Sequence, residues 1–145
     1  MKSSHSHTRS SSSLSSDDEM AVARLNDTYD LIKVIGKGST AKVWLARYVD
    51  DPSLQFAIKI MSSSYMTLKN SRASINKEVE ILSSLEHDGI IQVYEYGDDG
   101  VVEYNNKYIT RQVYIVMEYV EGQLLFDTCK QLGCMGEEVG RFFAK

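Results

Sequence analysis

Three groups of residues in this 145-residue chain are of types that handle phosphate, and their spacing decides between the possible chemistries. Gly36-Lys37-Gly38-Ser39-Thr40 is small enough in side chain to let backbone N–H groups close on an anion. A Walker A loop needs Gly, four residues, then Gly-Lys-Ser/Thr; Leu31 stands five before Gly36 and Gly38 follows Lys37, so that reading fails. A dinucleotide fingerprint needs a helix after the turn, whereas Ala41 to Val49 alternates as a strand and contains Val43 and Trp44. What remains is a glycine-rich hairpin turn of the form G-x-G-x-x-G-x-V, with Ala41 in the third glycine position. Alone, such a turn suits any β-protein.

Lys59 is the second group. Alternation along Phe56-Ala57-Ile58-Lys59 puts it on the face of Ala57, opposite Phe56, Ile58 and Ile60. A lysine in an apolar strand either snorkels to water from an edge or meets a partner. Glu78 is the third group. At about 100° per residue it points between Leu82 and Leu85, inside the stripe of Ile75, Val79, Leu82 and Leu85 and away from Lys77 and Glu80. An unpaired carboxylate there costs several kcal/mol, so the fold should supply a cation, and Lys59 on the preceding strand is the obvious one. At ~4 Å and an effective dielectric near ~20, their attraction is worth ~4 kcal/mol before desolvation, enough to position a lysine for a polyphosphate.

These residues need elements to hold them. Leu31 to Ile35 and Ala41 to Val49 read as a hairpin about the glycine-rich turn, Asp50-Asp51-Pro52-Ser53 as a second turn, and Gln55 to Met61 as a third strand. Polar residues 62–71 lead into one amphipathic helix over 75–86 that ends near His87-Asp88-Gly89. Ile90 to Tyr96 and Gln112 to Tyr119 read as fourth and fifth strands, joined by a long acidic loop or an extended hairpin from Gly97 to Arg111. Its Asp98, Asp99 and Glu103 suit solvated charge or a docking surface. Leu124 to Leu132, stopped by Gly133, and Glu137 onward, with Val139, Phe142 and Phe143, read as two more helices. The N-terminal stretch is different: nine of the first sixteen residues are Ser, followed by Asp17, Asp18 and Glu19, so residues 1–25 are expected to be a disordered acidic tail. Ser12, Ser15 and Ser16 are possible phosphoacceptors there, and His5 and His7 lack the companions a metal site needs.

Order, spacing and element type together resemble the N-terminal lobe of the eukaryotic protein kinase fold over roughly Tyr29 to Lys145, with a texture near the calmodulin-dependent Ser/Thr group. The resemblance implies an α+β fold: a five-stranded antiparallel sheet with one helix across it over 29–120, then the hinge exit and first helices of a C-lobe over 121–145. It places Gly36, Lys37, Gly38, Ser39, Thr40 and Ala41 over the phosphates of ATP, Lys59 on the α- and β-phosphates, and Glu78 on Lys59. Ile35, Val43 and Ala57 become the roof of the adenine slot and Met117 the gatekeeper. Glu118 C=O and Val120 N–H bond the adenine edge, and Leu82 and Val93 join the family's hydrophobic column. Where the family often has Gly and then a ribose-binding acid after Gly122, this chain has Gln123 and Leu124; Asp127 is the alternative carboxylate.

The 145 residues contain no H-R-D-x-x-x-x-N, D-F-G or A-P-E motif, which in the family supply the catalytic Asp, the Mg ligands and the substrate platform. The expectation is therefore the ATP-binding portion of a Ser/Thr kinase acting on protein substrates when complete, inactive as these residues alone and with no metal ligands of its own. The other readings are a non-catalytic lobe docking as a decoy on a partner kinase, or on a kinase C-lobe, and a product without stable function. A net charge of −4 from 16 basic and 20 acidic residues argues against a nucleic-acid partner. No run suits a membrane span or signal peptide, Lys2 excludes myristoylation, and Cys129 and Cys134 read as reduced thiols, which together point to a cytoplasmic, or else nuclear, protein.

Overall fold

The computed structural model describes residues 23–133 and 136–143. The strands are those the alternation marks, with shifted ends and joined by one more: β1 (Ala23–Leu25), β2 (Tyr29–Lys37), β3 (Ala41–Tyr48), β4 (Gln55–Met61), β5 (Val93–Tyr104) and β6 (Lys107–Glu118). Between β4 and β5 lie α1 (Ser63–Met66) and α2 (Ser71–Ser84); α3 (Leu125–Leu132) and α4 (Glu137–Phe143) follow β6. All pairings are antiparallel, in the order β1-β2-β3-β4-β6-β5, and β1 pairs with β5 to close a barrel.

Closure corrects the expected five-stranded sheet. The sixth strand, Ala23–Leu25, falls in the stretch expected to be tail, and both of its apolar side chains are buried. It fits because the segment 97–111 is the extended hairpin and not a loop: β5 and β6 run on until Asn105 and Asn106, both left-handed (φ 50° and 57°), turn the chain in two residues. The added length brings Val102 and Glu103 against Leu25 and Arg24. The expected Ser-rich tail and its Ser12, Ser15, Ser16, His5 and His7 otherwise lie outside the described residues, as does Cys134.

Pairing sorts the side chains into two layers. Inside the barrel, Leu25, Tyr29, Leu31, Ala46, Ile58, Val102, Tyr114 and Val116 form one core. On the opposite face of β3, β4 and β6, Ala41, Met61, Val113 and Ile115 pack with Ile75 of α2. A polar latch ties the barrel together across β2, β5 and β6. Glu95 accepts hydrogen bonds from Tyr29 Oη (2.9 Å) and Tyr114 Oη (2.5 Å), and Asn26 Nδ2 donates to Tyr114 Oη (2.9 Å) while its Oδ1 accepts from the Val101 amide (2.8 Å). Tyr114 reaches Glu95 by crossing Gly97 and Gly100, where a Cβ would stand 2.4 and 2.7 Å from its ring. Two glycines in one strand are thus the space the tyrosine occupies.

Candidate functional site

Residues paired across an antiparallel sheet share a face, so register builds the site. One rung runs Gly36, Val43, Lys59, Ile115, Tyr96 across β2, β3, β4, β6 and β5. The next runs Leu45, Ala57, Met117, Val93. Val43, Ala57, Lys59 and Met117 therefore form one contiguous patch on the face that carries α2, an apolar floor with a single ammonium at its edge. The glycine-rich turn closes beside it: Gly38 N donates to Ala41 O (2.9 Å), leaving Ser39 and Thr40 as an exposed two-residue tip.

Ile35 is the extra residue of a β-bulge between Val34 and Gly36. With Lys33, Val34, Tyr119, Val120, Gly122 and Leu124 it lines a cleft of about 430 Å³ between β2 and the segment leaving β6. Glu118 ends β6 and anchors the start of β5, its amide donating to Gln92 O (2.9 Å) and its Oε2 accepting from Gln92 N (3.3 Å). Val120 is exposed just beyond it, and Asp127, in the first turn of α3, is exposed as well.

Lys59 Nζ donates to Glu78 Oε1 at 2.7 Å. The sequence leads one to expect Glu78 sunk in the apolar stripe, but its side chain is 44% exposed and that of Lys59 23%. The correction has a geometric cause. Only Ser71 and Ile75 of α2 are buried, so the helix touches the sheet along a narrow line and Glu78, about 60° round from Ile75, sits at its margin. In that setting the ion pair orients the lysine and adds at most ~1 kcal/mol to stability.

On the other margin of α2, Tyr96 Oη donates to Asn76 Oδ1 (2.8 Å) and Arg72 pairs with Asp98 (3.0 Å). Burial raises the Tyr96 hydroxyl above its ordinary range, Asp98 adds to this and Arg72 opposes it, so the group stays a donor. None of these four residues was legible as part of the site. Asn76 is simply a polar residue beside Ile75, and only register shows Tyr96 on the rung of Lys59.

The model for the protein kinase domain matches residues 29–145. The chain belongs to the protein kinase family. Among its relatives, the chain is 31% identical to calcium/calmodulin-dependent protein kinase type 1 of Macrobrachium nipponense over 131 residues, 90% of this chain and 34% of that protein. Calcium-dependent protein kinase 4 of Plasmodium falciparum is 35% identical over 70% of the chain and 17% of its own length, and 3-phosphoinositide-dependent protein kinase 1 of Arabidopsis thaliana is 31% identical over 79% and 21%. The chain thus spans about a third or less of the length of these relatives. Its fold is that of the N-terminal portion of the kinase domain, and no helix among the described residues is long and apolar enough to cross a membrane. Among the described residues no three His, Cys, Asp or Glu side chains gather in a group that could hold a metal ion.

Proposed function

We propose that these residues form the ATP-binding portion of a protein serine/threonine kinase, which in the complete enzyme passes a phosphoryl group from ATP to a protein hydroxyl. The observation that carries the reading is the 2.7 Å Lys59–Glu78 pair on the same sheet face as Val43 and Ala57, beside the glycine-rich turn. The donor set suits the ligand: an uncharged floor for a base, a fixed cation for a polyphosphate, and a turn with small side chains between them. ATP, when bound, supplies the transferable phosphoryl group. Gly36, Lys37, Gly38, Ser39, Thr40 and Ala41 cover its phosphates, Lys59 offers the ammonium protons not used by Glu78 to the α- and β-phosphates, and Glu78 keeps Lys59 from swinging to solvent. Ile35, Val43 and Ala57 enclose the adenine, Met117 limits its depth, and Glu118 C=O and Val120 N–H meet its edge.

Transfer itself requires an acceptor-orienting Asp and metal ligands, and the 145 residues contain neither motif that supplies them. Titration of the purified chain with a fluorescent ATP analogue, displaced by ATP, tests the site; no saturable binding at millimolar nucleotide overturns it. Phosphorylation of a Ser/Thr peptide by the same preparation overturns the claim that these residues bind without transferring.

A second reading rests on α3, where Phe126 and Leu132 are 74% and 68% exposed. That surface suits a lobe that docks on another kinase without catalysing, and co-purification of one stoichiometric intact kinase with the chain supports it.

A further inference from the structure

We infer that Tyr96 and Asn76 are positioning residues for Lys59: they hold α2 at the rotation that brings Glu78 to the lysine. The inference rests on the nucleotide-site reading above and adds to it how that site is held in register.

Lys59 and Tyr96 stand on one rung, two strands apart, with Ile115 between them. Both contact α2, Lys59 through Glu78 and Tyr96 through Asn76. Asn76 and Glu78 are two residues apart, hence about 160° apart around the helix, and they straddle Ile75, which packs with Ile115 below. Ile75 is the one fully buried apolar residue of α2, with Val79 partly buried against the same core one turn on, so the apolar seat is a narrow line about which the helix can roll unless its flanks are gripped. The start of α2 is held only at Ser71, which is buried and donates through Oγ to Met66 O (3.5 Å); Asn70 at the N-cap is left-handed (φ 70°) and its side chain caps no amide. Arg72, one turn before Asn76, meets Asp98 on the same flank, but both are more than half exposed and the pair is screened. The neutral hydrogen bond from the half-buried Tyr96 to the exposed Asn76 is the second grip on that flank and, unlike the ion pair, does not depend on charge. If it is lost, α2 rolls toward the Lys59 side, the Glu78 carboxylate leaves the lysine, and Lys59 samples solvent orientations.

The test uses the 145-residue chain with Tyr96→Phe, Asn76→Ala, Asn76→Asp and Glu78→Gln, read in two ways. The nucleotide-free readout is the NMR signal of the Lys59 side-chain nitrogen, which differs between an ammonium held on a carboxylate and one averaged in water. The second readout is the Kd for ATP. Tyr96→Phe and Asn76→Ala are expected to move the Lys59 signal to that of an exposed lysine and raise Kd by roughly three- to tenfold. Asn76→Asp keeps an acceptor for the tyrosine and should retain both wild-type values. Tyr96→Phe in a Glu78→Gln background should add nothing. Unchanged Lys59 signals in Tyr96→Phe and Asn76→Ala, or an equal loss of affinity with and without Glu78, overturns the inference. A Lys59 signal that responds as expected in a chain that binds no ATP overturns the nucleotide reading and leaves the positioning role standing.

Discussion

Lys59 and Tyr96 lie on the same rung of the sheet, on either side of Ile115, and reach opposite flanks of α2. Both partners of the ion pair with Glu78 are partly solvated, so the pair adds little to stability, and on the proposed nucleotide reading its role is to position the lysine.

Removing either end of the pair should therefore separate binding from stability. Lys59→Ala is expected to weaken ATP binding about tenfold or more, equivalent to ~1.4 kcal/mol. Its unfolding free energy should change by no more than ~1 kcal/mol. Nucleotide titration beside a urea melt checks both, and a large loss of stability would show the pair to be structural.

The Tyr114 ring fills the space above Gly97 and Gly100, so a methyl group at Gly97 has nowhere to go. Gly97→Ala should destabilise the fold by ~1–3 kcal/mol through overpacking. Combined with Tyr114→Ala, which empties the space, its further cost should nearly vanish. A double-mutant cycle by chemical denaturation measures the coupling.

The same latch sets a response to alkali. Burial, then the hydrogen bond to Glu95, then the charge of Glu95 push the Tyr114 hydroxyl up to about 12, with Asn26 opposing, and the same first three causes raise Tyr29 further. A folded-state value above the unfolded one, ordinarily ~10, means that the unfolded chain releases its proton first. The stabilisation is whole below about pH 10 and falls as pH rises toward about 12. Melts across that range should show a shallower fall in Tyr114→Phe than in wild type; parallel curves would remove Tyr114 from the account.

Asn105 and Asn106 turn the β5–β6 hairpin with both residues left-handed. Asn106→Val should cost ~1–2 kcal/mol, the penalty for a branched side chain in that conformation, and Asn106→Gly should be neutral or slightly stabilising. Because this hairpin carries the residues that pair with β1, amide exchange of Leu25 should accelerate in the valine variant and not in the glycine one.

Sequence alone determined what local rules determine. Period-two alternation gave the strands around the glycine-rich turn, period 3.6 gave α2, and motif spacing separated this turn from a Walker loop and from a dinucleotide fingerprint, before resemblance placed Lys59 and Glu78 in one family's pattern. It also flagged Lys59 and Glu78 as charges in apolar contexts that needed each other. Only the tertiary structure decided the rest. Three residues, Ala23–Leu25, are too short to stand out as a strand and become one because an extended hairpin offers Val102 and Glu103 as partners many residues away. Glu78 looks buried from periodicity, yet the width of the contact between α2 and the sheet leaves it at the margin, since a helical stripe fixes direction and not depth. Tyr96, Asn76 and the Glu95 latch carry no local signature, because their meaning lies in which strand stands beside which, and strand order is a property of the whole chain.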